Sequence, residues 1–101
     1  MEITPKLADF IVHTDIADIP AEAKETAKRA ILDCLGVALA GSREPMARIM
    51  MKFLRDMRGG AKATIWGKNF RTSSPLAALA NGTFGHALDY DDINRTMRGH
   101  P

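Results

Sequence analysis

Four prolines, each at the start of a stretch with helical apolar spacing, constrain the fold of this chain most. Proline has no backbone N–H and a fixed φ, so it fits the first turn of an α-helix and disrupts a helix further along. The four prolines are Pro5, Pro20, Pro45 and Pro75. After each of them, apolar residues recur every three or four positions, the period of a helix with one buried face. The helices that this pattern predicts lie near residues 5–13, 20–40, 45–58 and 74–88.

The second predicted helix changes from polar to apolar along its length. From residue 30 to residue 40 the only charged side chain is that of Asp33. We therefore expect this part of the helix to be covered nearly all round by a core. Gly36 would allow another backbone to approach, and Gly41 is the natural end of the helix.

The third predicted helix has the clearest apolar stripe. Its members are Met46, Ile49, Met50, Phe53, Leu54 and Met57. A stripe at this spacing is more typical of core packing than of a binding surface. Beyond the glycines that end this helix, residues 63–66 favour an extended conformation, enough for one short strand and too few for a sheet.

The fourth predicted helix contains Asn81 and Gly82 in its middle. This pair costs about 1 kcal/mol or more of helix propensity. If the helix continues through the pair, we expect tight packing or a functional role to offset that cost.

Composition excludes several classes of protein. The 101 residues suffice for one small domain, and 14 basic against 12 acidic residues leave a net charge of only +2. This balance favours neither nucleic acid nor an anionic membrane as a partner. Eight basic residues are concentrated in the middle of the chain, which is typical of a solvated face. They are Arg43, Arg48, Lys52, Arg55, Arg58, Lys62, Lys68 and Arg71.

The cellular compartment follows from the cysteine content and from the start of the chain. The single cysteine, Cys34, excludes an internal disulfide and a thiolate metal cluster, and we expect it to be a buried thiol in a reducing compartment. No apolar run approaches the ~18 residues that a membrane span needs, and the first residues do not resemble a signal peptide. We expect a cytoplasmic protein.

The end of the chain concentrates acid–base chemistry. Residues 86–92 hold one imidazole and three carboxylates, and a second histidine, His100, follows. If the fourth helix continues, His86 and Asp89 share one of its faces. Clustered carboxylates resist ionising together, so that one can donate a proton while another accepts it, and a histidine titrates near neutrality. This set suits proton abstraction next to a carbonyl or carboxylate.

Two other interpretations of these residues stay open. Aspartates at a helix end can simply cap the next helix or form a solvated loop. Two histidines with three aspartates could also bind zinc, manganese or iron, although no His-x-x-x-His or cysteine pairing fixes such a geometry.

The same residues carry a resemblance to a known family. The stretch 79–92, LANGTFGHALDYDD, closing on His100 and Pro101, resembles the signature of the MmgE/PrpD family. The segments 7–10, 19–20 and 27–42 are similar to the family's amino-terminal helices. The resemblance covers essentially the whole chain.

This resemblance implies a mainly α fold, with residues 1–101 as the amino-terminal portion of the large helical domain of a longer enzyme. The lid domain and the remainder of that enzyme would lie outside this sequence. Family members include 2-methylcitrate dehydratase, cis-aconitate decarboxylase and iminodisuccinate epimerase, which remove a proton next to a carboxylate of a small polycarboxylic acid. The family resemblance also implies a homodimer in the full-length parent and no metal or other cofactor.

The family pattern assigns roles to residues near the end of the chain. Asp89 and His100 occupy its catalytic positions, and we assign substrate binding to His86 and Asp92. The family commonly has threonine where this chain has Ile93, which argues against cis-aconitate decarboxylase. The expected function is therefore that of a lyase or isomerase similar to 2-methylcitrate dehydratase, an enzyme of propionate catabolism. The alternative is an inactive remnant or a helical association module.

Overall fold

The four proline-led stretches form helices in the computed structural model, which describes residues 3–93, 95–96 and 98–100. The elements in chain order are α1 (Ile3–His13), α2 (Ala21–Gly41), α3 (Pro45–Met57), β1 (Ala63–Thr64), β2 (Arg71–Thr72) and α4 (Ser74–His86). The prediction of a mainly helical chain is confirmed, and each predicted helix lies within a few residues of its observed bounds. Prolines stand in the first turn of α3 and of α4.

The chain divides into two units, Met1–Ala30 and Ile31–Pro101. The first unit contains α1 and the start of α2, and none of its described residues is buried. The apolar residues Leu7, Phe10 and Ile11 of α1 are 56%, 60% and 73% exposed. A hydrogen bond from Lys24 Nζ to the carbonyl oxygen of Ile16, at 3.1 Å, lies within this unit. The first unit therefore has an apolar helix face that no described residue covers.

The second unit contains the core. Its buried apolar residues are Ala38, Ala47, Met51, Leu54, Ile65, Ala77, Ala80 and Phe84. They come from the end of α2, from α3, from the segment after β1 and from α4. Phe84, Leu54 and Ile65 are the largest fully buried apolar side chains. Because Phe84 lies two positions before the end of α4, the core holds this end of the helix in place.

Two expectations about α2 are wrong. Ile31 and Leu32 are 62% and 72% exposed, and Cys34 is exposed too, so its thiol is not a buried one. These three side chains of α2 are exposed because no other residue that the structure describes packs over them. Gly36 has no heavy atom within 4 Å of the position that a Cβ would occupy. Gly41, which ends α2 as predicted, has the close contact instead, because a Cβ there would collide with the carbonyl oxygen of Phe84.

The buried face of α3 is offset from the predicted stripe. The helix buries Ala47, Met51 and Leu54, whereas Ile49 is 74% exposed and Met57 53% exposed. Met46 and Met50 pack against the core from its edge. The predicted stripe consists of large apolar side chains only, whereas the side of α3 that faces the core includes the small residue Ala47.

The two strands form an antiparallel hairpin, with Ala63 opposite Thr72 and Thr64 opposite Arg71. The backbone N–H of Ile65 donates to the carbonyl oxygen of Phe70 at 3.0 Å and continues the pairing. The extended segment at β1 is thus confirmed, but the expectation that it forms no sheet is wrong. Two residues of β2 are too few to show the alternating pattern by which a strand is recognised in a sequence.

Asn81 of α4 connects this helix to the hairpin. Its Oδ1 accepts a hydrogen bond from the backbone N–H of Trp66 at 2.9 Å, and its Nδ2 donates to the carbonyl oxygen of Thr64 at 3.1 Å. These bonds satisfy backbone groups at the open end of a strand. These two hydrogen bonds offset the helix propensity that is lost at Asn81 and Gly82.

We expect Asn81→Ala to lower the free energy of unfolding by about 1–3 kcal/mol, because the N–H of Trp66 loses its acceptor in a half-buried place. Urea denaturation of both proteins measures the difference. The matched control is Asn69→Ala, in the exposed hairpin loop, which should change stability by less than about 0.5 kcal/mol. Equal losses in the two variants would show that the side chain of Asn81 does not hold the hairpin.

Candidate functional site

The fourth helix ends at His86, and the chain then turns. The backbone N–H of Ala87 donates to the carbonyl oxygen of Phe84 at 3.3 Å, and that of Asp89 donates to His86 at 3.0 Å. Asp89 has φ +55°, the left-handed conformation that aspartate tolerates better than most residues. Because α4 does not continue past His86, a turn rather than a shared helical face brings His86 and Asp89 together.

Two histidines and two aspartates meet beyond this turn, and we call His86, Asp89, Asp91 and His100 the His–Asp cluster. Asp91 Oδ1 lies 3.1 Å from His86 Nδ1, and Asp91 Oδ2 lies 2.9 Å from His100 Nδ1. Asp89 Oδ1 lies 3.9 Å from His86 Nδ1 and 3.8 Å from His100 Nε2. The two imidazole rings pack edge to face with their centroids 4.4 Å apart.

Burial is uneven across the His–Asp cluster. The side chain of Asp91 is 19% exposed and that of His100 30% exposed, whereas those of His86 and Asp89 are 58% and 76% exposed. The Nδ1 atom of His100 is buried, and although it lies at ion-pair distance from Asp91 Oδ2, the two are not aligned for a hydrogen bond. Asp91 and His100 thus form the sheltered side of the cluster, and Asp89 forms its solvent side.

The pKa of Asp91 lies below its ordinary value of 3.8. Partial burial raises this pKa, but the hydrogen bond with His86, the backbone N–H of Asp91 and the charges of His100 and His86 together lower it by more. Asp91 is therefore a carboxylate at neutral pH and offers an oxygen to each imidazole.

The structure brings three of the four predicted site residues together. His86, Asp89 and His100 belong to the His–Asp cluster, whereas Asp92 is exposed and lies outside it. Sequence reasoning did not assign a role to Asp91, the aspartate with the shortest contacts to both histidines. Its position in the Asp-Tyr-Asp-Asp run carried no signal, because the order of residues does not show which carboxylate turns inward. Pro101, which closes the sequence motif, lies outside the described residues.

The cluster also contains the residue types of a metal site. Each of its four members offers one ligand atom, and these atoms lie within 4.8 Å of one another. Ligand atoms around a tetrahedral Zn²⁺ with bonds of about 2.1 Å lie roughly 3.4 Å apart, so the set would have to contract to hold the ion. The short distances run instead from carboxylate oxygens to imidazole nitrogens, as in ion pairs.

An open groove of about 700 Å³ runs beside His86. Its lining residues are Met46, Ala78, Leu79, Gly82, Thr83, His86 and Ala87. No lysine or arginine is among these described lining residues, so His86 is the basic group that the groove offers to an anion. A separate groove of about 390 Å³ is lined by three of the basic residues from the middle of the chain, Arg48, Arg55 and Lys68.

Comparison with known proteins identifies the family. Residues 5–101 match the model of the MmgE/PrpD N-terminal domain. The chain belongs to the MmgE/PrpD family. No solved structure matches the chain. Within the part of the chain that the structure describes, no helix is both long enough and apolar enough to cross a membrane.

Several curated relatives of this MmgE/PrpD chain carry names of one kind. It is 30% identical over 98 residues to the cis-aconitate decarboxylase-like protein oryM of Aspergillus oryzae, a match that covers 97% of this chain and 20% of that protein. It is 33% identical over 91 residues to cis-aconitate decarboxylase of Mus musculus and 28% identical over 91 residues to that of Homo sapiens. Each of these two matches covers 89% of this chain and 19% of the relative. The chain thus spans about a fifth of the length of these relatives.

We expect the ¹³Cγ resonance of Asp91 to titrate with a midpoint below 3.8 and this midpoint to rise when His86 and His100 are both replaced by glutamine. Removal of the two cations leaves partial burial as the dominant influence. Because the lowered pKa belongs to the folded state, the stability that it contributes is present above pH 3.8 and is lost as pH falls through the lowered value.

His13→Gln is the control for this titration. His13 lies 3.0 Å from Asp9 in α1 and does not belong to the His–Asp cluster, so the midpoint of Asp91 should stay where it is. A midpoint of 3.8 or higher in the unmodified protein would contradict the ion pairs described for the cluster.

Proposed function

We propose that this chain supplies part of the active site of an enzyme that transfers a proton at the carbon next to a carboxylate of a small polycarboxylic acid. The observation that carries the proposal is the position of His100, whose Nε2 lies 3.8 Å from Asp89 Oδ1 while its Nδ1 faces Asp91. An imidazole with a carboxylate on one nitrogen and a partly open second nitrogen is equipped as a general base and acid. Membership of the MmgE/PrpD family supports the same class of chemistry.

Each predicted residue has a role in this proposal. His100 removes the proton from carbon, and the electron pair of the broken C–H bond forms a carbon–carbon double bond. In a dehydration, this double bond forms as the neighbouring hydroxyl group takes up a proton and leaves as water. Asp89 orients His100 or shares the proton with it. His86, which lines the groove, binds a substrate carboxylate when its imidazole is protonated, and Asp92 binds a substrate hydroxyl group.

Two substrates fit the proposal, and a different observation favours each. The names of the relatives from Aspergillus oryzae, Mus musculus and Homo sapiens favour decarboxylation of cis-aconitate. Ile93 argues against the decarboxylase and so favours dehydration of 2-methylcitrate, because it is 63% exposed and offers no hydroxyl group where the family commonly has threonine. We propose the dehydratase, in a cytoplasmic homodimer, and parallel assays of the purified full-length protein with both acids decide between the two.

A role without catalysis is favoured by a separate observation. The apolar face of α1, with Leu7, Phe10 and Ile11, is exposed, as an association module would require. The two functions are distinguished by turnover, because an association module has none with either acid.

We expect His100→Ala and Asp89→Asn to lower turnover of 2-methylcitrate by about 10²- to 10⁴-fold in the full-length protein, since each removes a group that handles the proton. The melting temperature should change little, because Asp89 is 76% exposed and His100 is not part of the hydrophobic core. Loss of 2-methylcitrate, followed by chromatography, and Tm by calorimetry are the measurements.

Asp56→Asn, an exposed aspartate of α3, is the matched control and should retain full turnover. Near-normal turnover in either cluster variant would exclude that residue from catalysis. Treatment with a chelator should leave turnover unchanged, and inactivation by the chelator that added metal reverses would replace proton transfer by His100 with metal-assisted chemistry.

A further inference from the structure

Asp91 is the only member of the His–Asp cluster that contacts both imidazoles within 3.2 Å. One carboxylate oxygen lies 3.1 Å from His86 Nδ1, and the other lies 2.9 Å from His100 Nδ1. The corresponding distances from Asp89 are 3.9 Å and 3.8 Å. The contact of Asp91 with His86 is a hydrogen bond, and its contact with His100 is a charge contact at 2.9 Å. Asp91 thus has both oxygens committed to the two histidines, whereas Asp89 has oxygens to spare.

The surroundings of Asp91 make these contacts effective. Its side chain is 19% exposed, and the contacted Nδ1 atom of His100 is buried. A charge interaction between sheltered atoms is screened less by water and salt than one at the surface. His100 follows Asp91 by nine residues, so the contact also holds His100 close to the turn that follows α4.

The choice of nitrogen has a chemical consequence for His100. A neutral imidazole carries its single proton on one nitrogen, and a carboxylate beside Nδ1 favours the proton at that atom. The lone pair is then on Nε2, the nitrogen on the side of Asp89. Only an imidazole in this tautomer can accept a proton from substrate at Nε2.

We infer that Asp91 is a positioning residue, which holds His100 with its proton on Nδ1 and its basic Nε2 directed toward Asp89 and the substrate. This inference deepens the proposed function and rests on it for its catalytic meaning. The same carboxylate holds His86 at the mouth of the groove through its other oxygen. Asp91 acts in this inference through the histidines, because each of its oxygens faces one of them.

The first experiment measures the tautomer and needs no turnover. In the EDTA-treated full-length protein, with pH held well above the ordinary imidazole pKa of about 6.5, ¹⁵N shifts of His100 should show the proton on Nδ1. Asp91→Asn should shift His100 toward the Nε2-protonated form or a mixture of the two. Protonation of Nε2 in the unmodified protein would overturn the inference, and this result is available even if Asp91→Asn does not fold.

The second experiment separates positioning from binding. Asp91→Asn should lower kcat at least about tenfold with a smaller change in KM, since substrate contacts remain while the base is misoriented. Asp91→Glu should recover part of the loss because it keeps the charge, and Asp56→Asn should behave as the unmodified protein. A change in KM alone, or an Asp91→Asn variant with unchanged kcat, would overturn the inference.

The two experiments also separate this inference from the proposed function. If the unmodified protein turns over neither 2-methylcitrate nor cis-aconitate, the proposed function fails. The tautomer of His100 and its response to Asp91→Asn then still decide whether Asp91 positions the imidazole.

Discussion

The close approach of the end of α2 to the end of α4 is the constraint on which the site depends. Gly41 lies so close to the carbonyl oxygen of Phe84 that a methyl group on Gly41 would collide with it. The side chain of Phe84 is fully buried in the core, so the backbone at this point is held from both sides. Two residues later α4 ends at His86, and the contact therefore determines where the first imidazole of the cluster stands.

The end of α4, the turn after it and His100, nine residues beyond Asp91, form the cluster, and it does not lie on a helix face. The left-handed backbone at Asp89 makes the turn after α4, and Asp91, two residues later, contacts both histidines. Asp91 thereby connects the two imidazoles, with one carboxylate oxygen facing each ring.

The sequence predicted the helices because prolines and apolar spacing coincide at each of them, and local signals of this kind survive in the folded chain. It also predicted His86, Asp89 and His100 as site residues, through the density of titratable groups and the family pattern. It missed β2, because two residues show no period, and it missed the buried face of α3, because Ala47 gives a weak apolar signal. The contact of Asp91 with His100 spans nine residues of chain, and no local pattern contains it.

The two hydrogen bonds of Asn81 have a consequence for genetics. They prevent α4 from sliding or rotating against the hairpin, and His86 lies five residues after Asn81 on the same helix. A random screen for lost function will therefore recover changes at Asn81 alongside those in the cluster, although Asn81 touches none of its members. Second mutations that restore function to an Asn81 variant are expected in the hairpin, where a more rigid turn stabilises the position of α4. Second mutations that restore function to a variant of the His–Asp cluster are not expected there.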